Sequence, residues 1–414
     1  MADFPTLDAR SPMPTRRSFL RTVAGGIALA NAGLITPRAR AELPQGTLDS
    51  AARDALPGKQ PLIKRSFRPP NYESPVDCFD DVITPNDRFF VRWHHSNIPR
   101  IDTGVWRLQV GGDGAERGFE LTLEQLKRDF EAVELVAVCQ CAGNRRGLSS
   151  PHVPGVQWSY GAMGNARWKG VRLKDLLARA GLKKEAVEIA VNGSDRGALD
   201  ATPAFVKSIP LWKALDENTL IAYEMNGAPL PHWNGFPARL VVPGWAATYW
   251  MKQVVGIRAL PQPLANFWMN TAYRIPKGKY PIIDRFTSQE SETSTPITEI
   301  LVSSLMTNIG DGRRFAAGQP ILVKGIAWDG GYGIRAVEVS MDEGRSWQSA
   351  DLAESHGRYS FRAWQFTCAP RVAGRVSIMA RASNAQGTSQ PSALIFNGAG
   401  YHNNVVQKIV IDVV

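Results

Sequence analysis

The stretch Val138-Cys139-Gln140-Cys141-Ala142-Gly143-Asn144-Arg145-Arg146-Gly147 follows an apolar run, Val133 to Val138, that predicts a buried strand. Its Gly and Asn tolerate the tight backbone of a strand-to-loop turn. The two arginines offer planar donor forks that suit phosphate. Fixed positive charge beside a thiol favours the thiolate, which is the form that ligates metal. The alternative is a small buried cysteine beside two surface arginines, because free cysteine is among the most buried residue types.

The chain has four cysteines, Cys78, Cys139, Cys141 and Cys368, and their spacing does not resemble a disulfide framework. Cys139 and Cys141 would share a face if the strand continued, whereas a turn beginning near Gln140 would break that relation. Spacing alone therefore leaves open which thiol enters a pocket. No Cys-x-x-Cys-His motif occurs, so we expect no covalent c-type haem in this chain.

A second group of polar residues follows two phenylalanines at positions 89 and 90. On a strand, Arg92 and His94 share a face, and a cation beside an imidazole makes an anion site. An edge strand with solvated polar residues would give the same pattern. A further alternative is a zinc site, whose ligands would be His94, His95, Cys139 and Cys141. Their spacing matches no usual zinc finger.

Three later stretches carry basic or hydroxyl groups beside apolar segments. Gly161–Gly170 is Gly-rich and basic, and we expect a loop before a helix where backbone donors can approach a phosphate, although the spacing of mononucleotide loops is absent. Arg239 and Lys252 flank an apolar strand and need either an anionic partner or exposure to solvent. Tyr273, beside Arg274, could donate to an oxo group or simply pack with its hydroxyl satisfied.

Composition and charge indicate a globular protein without a nucleic-acid surface. The 414 residues leave room for two or three domains, and a hydrophobic content of 44% is ordinary for globular proteins. The formal net charge is +10, of which six arginines and two aspartates in residues 1–41 account for +4. The rest is mildly basic, which would attract small anions or an acidic partner but shows no dense basic run with interleaved aromatic residues.

The N-terminus has the pattern of a twin-arginine export signal. Thr15–Arg21 contains Arg16 and Arg17, a modest apolar segment follows, and Ala39–Ala41 is a small-x-small cleavage pattern. The apolar segment is too short to span a bilayer, so we expect no membrane span. These features predict a signal peptide at 1–41 and a periplasmic protein, with a cytosolic amphipathic start as the alternative. Because this route exports folded proteins, often with a cofactor inserted, it favours a cofactor enzyme.

The rest of the chain is predicted to form an arm, a catalytic domain, a linker and a second domain. Residues 42–79 are Pro-rich and predict an extended arm. Residues 80–286 mix strands and helices without a regular βαβ period, which predicts one α+β domain. Residues 287–296 are polar and resemble a linker. Residues 297–414 contain short alternating strands, which predict an immunoglobulin-like β-sandwich.

Particular elements can be predicted from hydrophobic alternation, helical spacing and turn residues. The predicted strands in the catalytic domain are Arg88–Trp93, Trp106–Val110, Val187–Val191, Leu220–Met225 and Arg239–Val242, and the predicted helices are Thr122–Phe130 and Val171–Ala180. The predicted strands in the second domain are Ile321–Ile326, Ile334–Met341, Tyr359–Phe366 and Val376–Ala382.

Taken together, these motifs resemble the sulfite oxidase family of molybdopterin enzymes from residue 80 or so to the C-terminus, and within it they look closest to bacterial periplasmic sulfite dehydrogenases. The stretches that carry the resemblance are Phe90-Val91-Arg92-x-His94, Gln140-Cys141-x-Gly143-Asn144, Gly161–Trp168, Trp268–Arg274 and, in the second domain, Trp328–Ile334. The resemblance implies a mixed α/β molybdopterin-binding domain followed by a dimerisation-type sandwich.

The resemblance also implies one molybdenum–molybdopterin cofactor per chain and assigns residues to it. Cys141 rather than Cys139 would be the thiolate on molybdenum, Arg92 would bind the substrate anion, and Tyr273 would lie beside the equatorial oxo group. These three are the implied catalytic residues. The implied cofactor-binding residues are Phe90, Val91, Arg92, His94, Arg146, Asp195, Asn234, Arg239 and Lys252.

The implied reaction is the oxidation of sulfite to sulfate, with electrons passed singly to a c-type cytochrome. The protein would be a homodimer or a heterodimer with a cytochrome subunit. Alternatives are a sulfane, sulfoxide or nitrate substrate in the same family, or an exported binding protein without activity. The chain departs from animal members in having Asn234 where they have His. The stretch 396–400 lacks their pocket arginine, so the anion pocket is either less basic or takes charge from elsewhere.

Overall fold

The computed structural model describes residues 52–414, so the predicted signal peptide at 1–41 lies outside the described residues. Between residue 52 and the second domain, the structure has sixteen strands. They are β1 (Arg53–Asp54), β2 (Leu62–Ser66), β3 (Asn71–Glu73), β4 (Val91–Arg92), β5 (Leu108–Gly111), β6 (Phe119–Leu121), β7 (Ala132–Gln140), β8 (Met163–Arg172), β9 (Glu188–Gly193), β10 (Val206–Pro210), β11 (Leu220–Met225), β12 (Ala228–Pro229), β13 (Arg239–Val241), β14 (Val254–Leu260), β15 (Arg274–Pro276) and β16 (Ser294–Pro296).

Helices are few and short in the described residues. The α-helices are α1 (Leu123–Asp129), α2 (Leu173–Ala180), α3 (Leu211–Ala214) and α4 (Phe267–Asn270). The 3-10 helices are Val76–Phe79, Arg146–Leu148, His232–Asn234, Ala247–Tyr249 and Thr287–Gln289. The first α-helix begins where Thr122 caps it through a reciprocal pair of hydrogen bonds with Gln125. None of the helices of residues 52–414 is long and apolar enough to cross a membrane.

The described part of the predicted arm is extended, and it is folded into a sheet. Strands β1, β2, β3 and β4 pair in that order, all antiparallel. The sheet packs through a cluster of buried side chains that includes Leu62, Tyr72 and Trp93. Leu62, Tyr72 and Trp93 are each at most 1% exposed, so burial of these apolar side chains holds the arm in place. The arm therefore forms one sheet together with β4 of the catalytic domain.

Two larger sheets form the body of the catalytic domain. One has the order β10-β9-β14-β5-β6, with a parallel pair between β14 and β5 and antiparallel pairs elsewhere. The other has the order β12-β11-β8-β7, and β13 adds to β11. A single cluster of buried apolar side chains draws from both sheets. The domain is thus mainly sheet with a few short helices. The cysteine loop follows directly after the long strand β7.

The Gly-rich stretch Gly161–Gly170 is not the loop that the sequence predicts, because most of it forms strand β8. Its glycines allow close packing: a Cβ at Gly161 would collide with the Ser74 carbonyl oxygen, and one at Gly164 with the Phe89 ring. The following helix accordingly begins at Leu173 instead of Val171. The predicted strand at 88–93 is also shorter, reduced to β4. Close backbone approach, and not phosphate binding, explains these glycines.

The predicted linker at 287–296 is packed against the catalytic domain. It contains a 3-10 helix and strand β16, which pairs antiparallel with β15. Gln289 donates its side-chain amide to the buried carboxylate of Glu188, and Arg274 donates to the hydroxyl of Ser294. The polar side chains from which the sequence predicts a linker are therefore used in hydrogen bonds, which fix the segment in place.

The second domain is made of two sheets that pack through one apolar cluster. Its strands are β17 (Ser303–Met306), β18 (Arg314–Phe315), β19 (Ile321–Trp328), β20 (Ile334–Ser340), β21 (Gln348–Ser349), β22 (Asp351–Leu352), β23 (Arg362–Cys368), β24 (Gly374–Asn384) and β25 (Gln407–Val413). One sheet has the order β17-β19-β23-β22 and the other β18-β25-β24-β20-β21. The four predicted strands are found here with shifted ends. An immunoglobulin topology stays a prediction.

The second domain forms hydrogen bonds with the residues on both sides of Cys141. The guanidinium of Arg145 donates to the carbonyl oxygens of Ser304 at 2.7 Å and Val405 at 3.1 Å. The indole of Trp328 donates to Gln140 Oε1 at 2.6 Å. These contacts join both sides of the loop to the sandwich, so the position of the thiol depends on both domains.

Candidate active site

The cysteine loop turns sharply where β7 ends. The backbone N–H of Cys141 donates to the Ala162 carbonyl at 2.8 Å, and the Ala162 N–H donates to Asn144 Oδ1 at 3.0 Å. Arg145 has a φ of 66°, a left-handed conformation that reverses the chain direction. The predicted turn is therefore present, and it places the Cys141 side chain, 7% exposed, at a cavity.

The cavity has an empty volume of about 490 Å³ and lies between the cysteine loop, β4 and the segment after β12. Its lining residues are Phe89, Phe90, Arg92, His94, Cys139, Cys141, Ala142, Phe205, Trp233, Asn234, Arg239, Ala247, Thr248, Lys252 and Tyr273. The lining includes three cationic side chains and no carboxylate. Such a lining favours an anionic occupant.

Both cysteines line the cavity, but they have different neighbours. Nη2 of Arg239 is 3.7 Å from the Cys139 sulfur. Burial raises the pKa of the Cys139 thiol, and the positive charge of Arg239 opposes this shift. The resemblance assigned the metal to Cys141, and the structure is compatible with that assignment because Cys141 lies at the turn. Cys139 lies within the paired part of β7 instead.

One group of cavity side chains, here called the hydroxyl cluster, consists of Arg92, His94 and Tyr273. Arg92 Nη2 lies 3.3 Å from the Tyr273 hydroxyl, and His94 Nε2 is in hydrogen-bond contact with the same oxygen. Burial lowers the pKa of His94 well below its usual range, and the charges of Arg92 and Lys252 act in the same direction. A neutral imidazole can either donate to the hydroxyl or accept from it. The cluster therefore places a cation and a proton carrier side by side.

Tyr273 is held in an uncommon backbone conformation. Its φ is 60°, in the left-handed region that side chains rarely adopt. Its ring stacks on Tyr401 of the C-terminal domain, with centroids 5.5 Å apart, and its carbonyl accepts from the Ile297 N–H at 2.9 Å. Burial raises the pKa of the Tyr273 hydroxyl, and the Arg92 charge only partly offsets this effect. The hydroxyl therefore stays protonated near neutral pH and can donate.

A second group, here called the cation cluster, consists of Arg239 and Lys252. Arg239 donates to the Asn234 carbonyl at 2.9 Å and packs against the Trp168 ring, while its Nε is buried without a hydrogen-bond partner. The Lys252 ammonium lies 4.5 Å from the centre of the Trp93 ring. Burial lowers the pKa of Lys252 to about 7, and the charge of Arg239 adds to the shift.

No carboxylate in the described residues forms an ion pair with the cation cluster. Buried cations without acidic partners are costly unless an anion compensates them. The unpartnered Nε of Arg239 and the charge of Lys252 fit the phosphate group of a pterin cofactor. With the Cys141 thiol at the same cavity, the donor set suits a group that carries both a metal and an anionic tail.

Three of the residues predicted to bind the cofactor do not line the cavity. Val91 is buried in the core of the arm sheet. The Arg146 guanidinium donates to the backbone carbonyls at 399 and 156 and lies over the Tyr401 ring. Asp195 Oδ2 is 3.1 Å from His95 Nδ1, and it raises the pKa of that imidazole. A strand places alternate side chains on opposite faces, which explains Val91. The other two are engaged with the protein itself.

The structure adds residues that the sequence did not single out. Phe205 stacks on the His94 ring with centroids 3.7 Å apart. Lys207 donates to the Trp268 carbonyl at 2.6 Å and lies 5.4 Å from the Tyr273 ring centre, and burial lowers its pKa to about 7. No motif marks either residue, because their contacts depend on strand β10 reaching the cavity from another sheet.

The zinc alternative finds no support in the described residues. His94 is engaged with the hydroxyl cluster, and His95 faces Asp195. Within residues 52–414, no three His, Cys, Asp or Glu side chains come together in an arrangement that could hold a metal ion. Zinc sites need three or four such ligands at short range. A metal at this cavity would have to arrive with ligands of its own, as a pterin-bound metal does.

Comparison with known proteins defines the class of the protein. The oxidoreductase molybdopterin binding domain matches residues 95–268, and the Mo-co oxidoreductase dimerisation domain matches residues 294–414. The chain is therefore a molybdopterin oxidoreductase.

Individual relatives make the class more specific. Mitochondrial sulfite oxidase of Rattus norvegicus is 33% identical over 401 residues, which cover 92% of this chain and 71% of that protein. Nitrate reductase [NAD(P)H] of Hordeum vulgare is 28% identical over 395 residues, which cover 88% and 43% respectively. The crystal structure of the sulfane dehydrogenase SoxCD from Paracoccus pantotrophus has the same fold, with a TM-score of 0.70 at 24% identity, covering 93% of this chain and 96% of that one. The chain belongs to the sulfite oxidase family of molybdopterin enzymes.

Proposed function

We propose that this protein oxidises sulfite to sulfate at a molybdenum cofactor bound through Cys141 and passes the electrons singly to a c-type cytochrome. The hydroxyl cluster is the observation that carries the proposal. It combines a guanidinium, a protonated phenol and a neutral imidazole beside the Cys141 loop, in a cavity without carboxylates. This arrangement binds an oxyanion and can hold a proton next to it.

When bound, the cofactor supplies the two-electron redox chemistry of oxygen-atom transfer. The chain's own residues bind and orient the substrate. Arg92 lines the cavity and has guanidinium donors beyond the two that contact Trp93 and Tyr273, and these are available to bind an anion. Tyr273 donates a hydrogen bond from its hydroxyl to a substrate oxygen, and the contact with His94 keeps that hydroxyl in place. The rings of Phe89, Phe90 and Phe205 exclude water, which strengthens these interactions.

We further propose that the chain is exported to the periplasm by the twin-arginine route and acts there. The support is the Arg16–Arg17 pattern followed by an apolar segment and a small-x-small cleavage pattern. The match of residues 294–414 to a dimerisation domain supports a homodimer, and a heterodimer with a cytochrome subunit is the other arrangement. Light scattering of the exported protein, alone and with a cytochrome, distinguishes them by mass.

The test of the reaction is sulfite-dependent reduction of cytochrome c by the exported protein, with molybdenum assayed on the same sample. Activity with about one molybdenum per chain is the expected result. Bound molybdenum without sulfite activity would contradict the substrate while keeping the cofactor. A folded sample without molybdenum, from a host that makes the cofactor, would contradict the assignment of Cys141.

A second candidate substrate is nitrate. The nitrate reductase relative and the absence of an arginine at 396–400 favour it, because a less basic pocket suits a singly charged anion better than a dianion. The same molybdenum-loaded sample should be assayed with nitrate and a reduced dye as electron donor. Turnover of nitrate but not of sulfite would select this function. Sulfane substrates can be tested alongside with the cytochrome assay.

A further inference from the structure

Lys59, in the loop between β1 and β2, is a buried cation at the back of the cavity. The residue is 7% exposed. Its ammonium donates to the carbonyl oxygens of Asn86 at 2.5 Å and Phe89 at 3.0 Å, and to Asn234 Oδ1 at 2.6 Å. All three acceptors are neutral. Burial lowers the pKa of Lys59 to about 7, against the opposing charge of Asp87.

The acceptors of Lys59 belong to the walls of the cavity. Phe89 and Asn234 both line it. Asn234 links Lys59 to two other residues of the cavity wall. Its Nδ2 donates to the Phe90 carbonyl at 3.2 Å, and its backbone carbonyl accepts from Arg239 at 2.9 Å. Because the Lys59 ammonium can only donate, it holds Oδ1 of the Asn234 side-chain amide towards itself, and Nδ2 must then point away from it. Lys59 thus sets the orientation of Asn234.

The loop that carries Lys59 is attached to the same wall by other hydrogen bonds. Trp233 Nε1 donates to the Pro57 carbonyl at 3.0 Å, and the Gln60 N–H donates to the Asp87 carbonyl at 3.0 Å. These contacts flank the ammonium on both sides along the arm. The arm therefore brings the lysine to the cavity in a defined position.

The cation cluster lies around the same turn. A Cβ at Gly235 would lie 3.1 Å from Lys252 Cβ and 3.2 Å from Arg239 Cβ, so both side chains begin directly beside the residue that follows Asn234. In the described residues none of Lys59, Arg239 or Lys252 forms an ion pair with a carboxylate. Lys59 and Arg239 are buried and Lys252 is half-buried, and three basic side chains around one turn favour an anionic ligand there.

We propose that Lys59 is a positioning residue for the molybdenum cofactor, acting through Asn234 on the anionic end of the cofactor. The inference rests on the proposed function only for the identity of the cofactor. With an anion bound, the three basic side chains share a counter-charge, and a residue of the N-terminal arm helps to hold the cofactor. Retention of the cofactor should then depend on a residue outside the catalytic domain that the sequence predicts at 80–286.

The test compares Lys59→Met and Lys59→Arg with Lys64→Met. Lys64 lies on the same arm but is partly exposed and pairs with Asp54, which makes it a matched control. Each protein is purified from a host that makes the cofactor, and the loss of molybdenum and released pterin is followed during dialysis. We expect Lys59→Met to lose molybdenum at least about tenfold faster than wild type, the effect of removing one charged hydrogen bond. Lys59→Arg should restore much of the retention, and Lys64→Met should match wild type.

Melting temperatures separate this role from a purely structural one. Apoprotein is made in a host without the cofactor, and the melting temperature is measured with and without cofactor for each variant. A ligand stabilises only the state that binds it. Lys59→Met should therefore reduce the difference in melting temperature between the cofactor-loaded protein and the apoprotein. Two results would overturn the proposal. One is that Lys59→Met retains molybdenum as well as wild type; the other is that it lowers the melting temperatures of the loaded protein and the apoprotein equally.

Asn234→Ala gives an independent check if Lys59→Met folds poorly. Since Lys59 is proposed to act through Asn234, the double variant should lose molybdenum no faster than the worse single variant. Additive effects would overturn the proposed route. Molybdenum retention requires no turnover, so these results are unaffected if sulfite proves to be the wrong substrate, whereas a wild-type protein that never binds molybdenum would refute both proposals.

Discussion

The hydroxyl cluster and the cation cluster share a cavity but differ in how their polar groups are satisfied. Arg92 and His94 both contact the Tyr273 hydroxyl, whereas Arg239 has a buried unpartnered nitrogen and Lys252 has no acidic partner among the described residues. Groups that satisfy each other are positioned before any ligand arrives. Groups without partners indicate a missing anion. In the proposed function, the hydroxyl cluster therefore acts on the substrate and the cation cluster holds the cofactor.

The largest effect should follow removal of the Cys141 thiol, which we propose binds the molybdenum. Cys141→Ser should lower turnover by at least about a thousandfold, because loss of an essential catalytic group typically costs that much or more. Cys139→Ser, a change of the same atom two residues earlier, is the control and should retain most activity. Kinetics with sulfite and cytochrome c measure both. An active Cys141→Ser, or an inactive Cys139→Ser that still folds, would contradict the assignment.

Removing a cation from the cation cluster should lower cofactor content. Arg239→Met leaves its buried aromatic contacts but removes the charge, and we expect molybdenum per chain to fall by at least about tenfold. The control is Arg258→Met, an exposed arginine on β14 that does not line the cavity. Metal analysis of the purified variants gives the answer. A full complement of molybdenum in Arg239→Met would remove the distinction between the clusters.

Removing the cation of the hydroxyl cluster should affect substrate binding and leave the cofactor in place. Arg92→Met is expected to raise the KM for sulfite by about tenfold to a hundredfold, the range for losing a charged hydrogen bond. Molybdenum content should match wild type. If instead Arg92→Met loses molybdenum and keeps its KM, the two clusters have been assigned the wrong way round.

A smaller effect is expected from the hydroxyl of Tyr273. Tyr273→Phe keeps the ring that stacks on Tyr401 and removes only the oxygen, so kcat should fall by about tenfold while molybdenum stays bound. Tyr280→Phe is the control, because it removes a hydroxyl that donates to the Ile395 carbonyl away from the cavity. Unchanged kinetics in Tyr273→Phe would exclude that hydroxyl from the reaction.

A separate effect, which concerns neither turnover nor cofactor content, is expected on the pH dependence of stability. His402 is buried, its Nε2 has no hydrogen-bond partner, and burial lowers its pKa to about 3. The unfolded chain binds this proton near pH 6.5 and the folded chain does not, so stability falls as pH drops from 6.5 toward 3. Between pH 6.5 and pH 5 the loss is about 1.6 kcal/mol.

The variant His402→Asn should flatten this dependence, because Asn does not titrate and tolerates the φ of 57° found here. Denaturant unfolding at pH 6.5 and pH 5 measures the difference. If the variant and wild type lose equal stability between these pH values, His402 does not cause the loss.

Much of the candidate site could be predicted from the sequence because its key side chains lie in short motifs. Arg92 and His94 are two residues apart, and the turn after Gln140 is marked by Gly and Asn. The structure brings these together with Tyr273, although more than a hundred residues separate them from it. The family resemblance, and not spacing, supplied that long-range relation.

The remainder depends on contacts between distant segments, which no local pattern records. Lys59 lies in a proline-rich stretch that predicts only an extended arm, yet its ammonium reaches Asn234 across 175 residues. The glycines of β8 resemble a phosphate loop until their close neighbours on other strands are known. The polar stretch at 287–296 resembles a linker because the buried Glu188 that it contacts is about 100 residues away. Local composition alone cannot distinguish a solvated polar residue from one that hydrogen-bonds a buried group.

The most direct measurement is X-ray absorption at the molybdenum edge on wild type, Cys141→Ser and Cys139→Ser. It counts the sulfur atoms bound to the metal without requiring turnover or a known substrate. The account predicts one fewer sulfur neighbour in Cys141→Ser and an unchanged number in Cys139→Ser. An unchanged number in Cys141→Ser, or a loss in Cys139→Ser instead, would contradict the central claim that Cys141 binds the metal.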